Sequence, residues 1–250
     1  MSNIVGDPTC GSISRASTLQ VNRAARRASA EIRAIRFQVT AAVGAFCLSA
    51  FMATEASALQ FQGSGVGEIP DGLGGGIEGG CSAATEGVAL TVSFAVKGLA
   101  APITNIGVRL SFDPPHTYVG DLHVMLAAPD GVRSTPIFGD TGNSGDGDDS
   151  SDLRGPYAFS DALSGDWWGA AAAADEAGEV PSGEYRATRD GLAQSVSLLA
   201  TFGDLTPAQA NGRWTMTIAD DCIGDTGSVS AAALVINESL PVSLQSLSVD

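Results

Sequence analysis

The sequence predicts an all-β protein, a jelly-roll-like β-sandwich of about eight mainly antiparallel strands, and three observations carry that prediction. Apolar and polar residues alternate with period two in several separate segments. Gly, Pro, Asn and Asp cluster between those segments, and no segment carries the i, i+3, i+4 spacing of a long amphipathic helix. Alternation of this kind sends successive side chains into a shared apolar interior and out to water, so each strand needs a second layer to cover its apolar face.

Residues 88–96 put Val88, Leu90, Val92, Phe94 and Val96 on one side and Ala89, Thr91, Ser93 and Ala95 on the other. After a turn region at 98–102, Ile106, Val108, Leu110 and Phe112 repeat the pattern. Residues 116–131, HTYVGDLHVMLAAPDG, read as a corner followed by a strand. Leu122, Val124, Leu126 and Ala128 form its core face, His123, Met125 and Ala127 its other face, and Pro129-Asp130-Gly131 its closing turn. A strand at 132–138 comes next, then a long surface loop at 139–154 in which no apolar period survives. The alanine-rich stretch 170–177, fenced by Gly169 and Gly178, suits a short helical turn. Residues 196–202 read as a strand or a helical turn, and 205–210 as a short loop with Pro207. Residues 212–220 form a strong strand with Trp214, Met216 and Ile218 on one face, and 228–236 form the last strand.

The segment before this pattern is not domain-like. Residues 1–58 carry Arg15, Arg23, Arg26, Arg27, Arg33 and Arg36, an apolar run at 37–53, and Ala56-Ser57-Ala58. That order predicts a secretory signal peptide with a long basic leader, cleaved after Ala58, and hence a secreted, periplasmic or cell-surface protein. An uncleaved anchor is the alternative, although the apolar run is at the short limit for a membrane span. Residues 59–86 are glycine-dominated and predict a flexible linker tacked on by Phe61, Ile69 and Pro70. The domain then occupies 87–238, and 239–250 form a tail.

Cleavage would leave seven Lys and Arg against 25 Asp and Glu, a formal charge of −18, where the whole chain carries −15. Such a surface repels nucleic acid and anionic membrane and suits an extracellular protein kept soluble or binding cations. Two cysteines would remain, Cys81 and Cys222, and in an oxidising compartment they read as a disulfide. Closing so long a loop stabilises by roughly 4 to 5 kcal/mol on the chain-entropy model. Free thiols or a metal site are the alternatives, the latter needing further ligands from His116 and His123.

His116-Thr117-Tyr118-x-Gly120-Asp121-Leu122, followed by an alternating strand and a Pro-Asp-Gly turn, resembles the signature of the P domain, or P/Homo B domain. That domain follows the catalytic domain in furin- and kexin-like proprotein convertases and in many bacterial subtilisin-like serine endopeptidases. The resemblance continues in order through residues 159–162 (Phe-x-Asp), 182–186 (Ser-Gly-x-Tyr), 211–215 (Asn-Gly-x-Trp) and 224–227 (Gly-Asp-x-Gly), and covers about 87–238. Ala187 stands where the family has proline. The resemblance implies a sandwich fold and an accessory role in proteolysis, packing on and stabilising a subtilisin-like protease or binding another extracellular protein. The family's triad lies in a catalytic domain that this chain does not contain.

Nucleophilic catalysis needs a base held beside a nucleophile, and only His116 and His123 lie beyond the leader, with no Gly-x-Ser-x-Gly elbow. No catalytic residue is assigned. Asp121, Asp220, Asp221 and Asp225 sit at strand ends or turns, where a carboxylate either caps backbone N–H groups or binds a hard cation; the resemblance implies that such residues hold the corner together, with calcium nearby in some relatives. Asp140, Asp146, Asp148, Asp149 and Asp152, in the 139–154 loop, are denser candidates for Ca2+ but lack EF-hand spacing, and a solvated insertion is the alternative. Trp167 and Trp168 are either a stacking platform for a sugar or partner, or plugs for the end of the sandwich. A carbohydrate- or protein-binding module therefore stands as the alternative to the protease-associated reading.

Overall fold

The computed structural model describes residues 59–75, 81, 85–142, 149–174 and 178–237. The expected signal peptide, the tail, Asp146 and Asp148 lie outside them. The strands are β1 (Leu59–Ser64), β2 (Leu90–Val96), β3 (Ile106–Phe112), β4 (Leu122–Ala127), β5 (Ser134–Gly139), β6 (Tyr157–Ser160), β7 (Gly183–Tyr185), β8 (Thr188–Arg189), β9 (Leu192–Ser195), β10 (Gly212–Asp220) and β11 (Val229–Ile236). Three short helices accompany them: α1 (Trp167–Ala174), α2 (Leu198–Phe202) and α3 (Pro207–Ala210). None is long and apolar enough to cross a membrane.

Nine strands hydrogen-bond in the order β5-β4-β10-β2-β1-β11-β3-β6-β7, all antiparallel except β6 beside β7. The sheet curls at β1, whose Leu59–Gln62 half pairs with β11 while Gly63 and Ser64 pair with β2. The two flanks face one another across one core. Phe138 of β5 packs against Phe159 of β6 with ring centroids 5.4 Å apart, although the strands lie far apart in the hydrogen-bonding order. The architecture is an all-β, sandwich-like one, as period-two burial requires. Val92, Phe94, Val96, Val108, Leu110, Leu122, Val124, Leu126, Trp214, Met216 and Ile218 are all buried in it.

β1 corrects the reading of 59–86 as a flexible lead-in: its first residues are the shared strand of the curled sheet. Glycine is needed where β1 passes from one flank to the other. A Cβ on Gly63 would stand 2.6 Å from Val92 Cγ1 and 3.1 Å from Ala232 Cβ, one neighbour from each flank. Ile69 is buried and bonded through its N–H to the Gly227 carbonyl, so the chain beyond β1 is also fixed to the domain.

Other boundaries moved for local reasons. Asp130 Oδ1 accepts from the N–H groups of Val132 and Arg133, which prolongs the turn, delays β5 to Ser134 and leaves Val132 exposed. Within 196–202 the chain is helical from Leu198 to Phe202, because Ser197 Oγ accepts from Ala200 N–H and the Asp161 carboxylate accepts from the N–H groups of Leu198 and Leu199. The stretch expected as a loop at 205–210 holds α3, opened by Pro207 and a capping box between Thr206 and Gln209. The alanine-rich turn begins earlier than expected, at Trp167.

Gly63→Val forces the two flanks apart at their shared strand. The expected cost is about 1–3 kcal/mol, in line with core overpacking, read as a lower urea midpoint at unchanged slope.

Candidate metal centre

Two histidines lie at one end of β10, in different settings. The first holds a corner. His116 is fully buried; its Nε2–H donates to Asp220 Oδ2 at 3.1 Å, and its Nδ1 lies 3.0 Å from the Tyr118 carbonyl and 3.3 Å from the Tyr118 N–H. Asp220, also fully buried, accepts from the Cys222 N–H through Oδ1. Thr117 Oγ1 donates to Asp225 Oδ1 at 2.7 Å, and Gly227 lies so close to the His116 backbone that a Cβ would strike it. Residues about a hundred positions apart thus meet as one knot. The bridge between Cys81 and Cys222, with Cα atoms 5.2 Å apart, fastens the preceding chain to it.

His123 stands on β4 between two small cross-strand neighbours, Gly139 of β5 and Ala219 of β10, which leaves room around its ring. Carboxylates fill that room. Nδ1–H donates to Asp190 Oδ1 at 2.8 Å. Nε2 lies 3.0 Å from Asp140 Oδ1 and 3.5 Å from Asp221 Oδ2 but makes no aligned hydrogen bond to either, and Glu86 Oε1 is 4.0 Å from Nδ1. The sequence put His123 on the face opposite the core, yet it is only 6% exposed because these acidic groups fold over it. Burial pulls its pKa down, but the Asp140, Asp190 and Asp221 carboxylates outweigh that and push it up to about 12. The arrangement is a site for positive charge.

Asp221 is 2% exposed, and its Oδ1 is buried with no hydrogen-bond partner. Its backbone N–H donates to the Asp121 carbonyl, and the two carboxylates lie within 4.8 Å of each other. Asp140 reaches the site from a left-handed backbone conformation, φ +41°, which aspartate tolerates better than most residues. These acidic clusters could hold a metal ion.

No family model, no curated protein and no solved structure matches this chain. What the site can do is read from its atoms alone.

The expected site residues divide sharply. Asp220 and Asp225 are engaged in the corner, and Asp149 Oδ1 accepts from the Ser151 N–H, so these three candidate calcium ligands are committed within the protein, while Asp146 and Asp148 lie outside the described residues. Asp140 and Asp121 belong to the His123 and Asp221 clusters respectively. Gly120, within the 3-10 turn Val119–Asp121, and Leu122 are buried, and Trp214 donates from Nε1 to the Ala210 carbonyl. Trp167 is no stacking platform: it is fully buried, 4.8–5.4 Å from Phe138, Tyr157, Phe159 and Tyr185, and donates to Thr141 Oγ1. Trp168 is half-buried against the core. Among the described residues no serine hydroxyl meets either imidazole; both ring nitrogens of each histidine face carboxylates or backbone. Glu86 and Asp190 were missed as site residues. Asp221 had a signal, an Asp-Asp-Cys at a strand end, whereas Asp190 had none, since its strand pair β8-β9 carries no clear period.

His116→Ala leaves Asp220 buried without its partner, and the expected loss is about 3–5 kcal/mol, measured by chemical unfolding. Asp225→Ala removes only an exposed contact at the same corner and should cost about 1 kcal/mol or less.

Proposed function

We propose that this chain is a secreted, non-catalytic module of the P/Homo B type that acts as an accessory to subtilisin-like serine endopeptidases, packing on a protease domain and stabilising it. One observation supports the reading most. The separated motifs that carry the resemblance meet in space, His116 and Thr117 against Asp220, Asp225 and Gly227, with Trp214 on the strand that leads there. A shared corner of this kind is what the motifs would have to build if they belong to one fold signature. The His116 ring fits the non-catalytic role, because both of its nitrogens are committed, one to Asp220 and one to Tyr118, which leaves no free position from which to act as base. Calcium is the ion the resemblance implies for the acidic groups beside this corner.

A second reading, an extracellular carbohydrate- or protein-binding module, is favoured by an open cleft of about 520 Å3 lined by Thr135, Pro136, Arg189, Asp190, Leu192 and Thr201. Leu192 projects into it 52% exposed, the kind of apolar anchor a partner could cover.

The deciding experiment adds the purified protein to a subtilisin-like catalytic domain that lacks a P domain of its own. A several-fold longer thermal half-life of the protease, with no peptidase activity from the added chain alone, is the expected result. No stabilisation, together with glycan or peptide binding that Leu192→Asp abolishes, would select the second reading.

A further inference from the structure

The His123 cluster carries an inference that stands whether or not the protein is a protease accessory. Its ring is held as metal-bound histidines are held. One nitrogen, Nδ1, bonds the Asp190 carboxylate at 2.8 Å, which fixes the ring's orientation and turns the other nitrogen inward. That other nitrogen, Nε2, is buried and faces the Asp140 and Asp221 carboxylates without an aligned hydrogen bond, and the second oxygen of Asp221, Oδ1, is buried with no partner. A buried nitrogen that faces two carboxylates without an aligned hydrogen bond, and a buried carboxylate oxygen with no partner, on side chains 6% and 2% exposed, carry a desolvation cost that an ion held by these side chains would offset.

We propose that Nε2 of His123 and the carboxylates of Asp140 and Asp221 bind one divalent ion of the zinc class, with Asp190 as the outer carboxylate that orients the imidazole. The spacing suits it. Nε2 lies 3.0 Å from Asp140 Oδ1 and 3.5 Å from Asp221 Oδ2, bracketing the roughly 3.3 Å edge of a tetrahedron whose metal–ligand bonds are about 2.0–2.1 Å. The donor set selects the ion. Calcium takes six to eight oxygens, whereas an imidazole nitrogen with two carboxylates suits zinc and its first-row neighbours. Three protein ligands leave a fourth position for water. Asp140, 22% exposed, and Asp190, 46% exposed, mark the side from which an ion enters.

The neighbouring disulfide bears on how the site is tested. Cys81 and Cys222 lie within 4.8 Å of the Asp121 and Asp221 carboxylates, and as thiolates they would compete for the same ion, so the protein is kept oxidised. After exhaustive chelation the whole protein is titrated with Zn2+ and, in parallel, with Ca2+, by calorimetry. Co2+ serves as a visible-absorption probe of coordination. The expected result is one Zn2+ per chain, at least 100-fold tighter than Ca2+, with a Co2+ spectrum of four- or five-coordinate intensity. His123→Gln and Asp221→Asn should abolish it. Because both are buried and can perturb folding, Asp140→Asn and Asp190→Asn provide the second pair, expected to weaken Zn2+ about 10–100-fold while leaving the circular dichroism spectrum unchanged. Absence of stoichiometric Zn2+, a preference for Ca2+, or Zn2+ affinity indifferent to Asp140→Asn and Asp190→Asn would each overturn the proposal.

Discussion

Asp220 is a carboxylate with no exposed surface at the end of the longest strand, and a group of that kind has to be paired where it stands. Its partner, His116, comes from the corner that opens β4, 104 residues earlier. The pairing therefore fixes where β4 begins relative to where β10 ends, and the two strands run antiparallel from that point with Asp220 opposite Leu122. Everything that follows in register inherits this anchor: Ala219 opposite His123, Ile218 opposite Val124, Thr217 opposite Met125. A one-residue slip would turn Leu122, Val124 and Leu126 out of the core and would also separate His116 from Asp220. Apolar packing and one buried hydrogen bond thus specify the same alignment.

The same anchor builds the His123 cluster. Asp221 follows Asp220 directly, and with that residue held by His116 its neighbour's carboxylate is delivered beside Asp121 and toward His123. From the other side β5 brings Gly139 opposite His123, and the bare Cα there lets Asp190 reach the ring, where a Cβ would collide with its carboxylate. Residues from four separate stretches of chain meet because two of them are adjacent in sequence to strand ends that packing has already fixed.

The sequence made the strands legible where one face is core and the other is wet. Residues 106–112 and 212–220 have the bounds that alternation gave them, because Ile106, Val108, Leu110 and Phe112, and likewise Trp214, Met216 and Ile218, are all buried. Alternation failed where a strand has other duties. β1 looked like linker because its crossing between flanks demands Gly63 and its exit uses Gly65 and Gly67 at positive φ, and glycines erase the pattern. α2 was ambiguous because half of its N-terminal capping comes from Asp161, far away in sequence. The corner could be read from its motif. The His123 cluster could not, since Asp190 and Asp221 lie 67 and 98 positions from it and only the folded register joins them.

Charge distribution explains why this end of the molecule is the chemical one. Glu86, Asp140, Asp190 and Asp221 gather around a single imidazole, and among the described residues no arginine or lysine pairs with His123. Where basic groups do meet acids, as Arg133 with Asp130 and Asp204 or Arg154 with Glu179, the pairs are at least partly exposed. Exposed pairs of that kind contribute little to stability, whereas carboxylates crowded out of water repel one another through a lower dielectric. A fold stabilised only by its core would have no reason to concentrate acid where water is excluded. A cation held by these groups would offset that cost, and Asp190, which touches the histidine and also lines the open cleft, joins the two places.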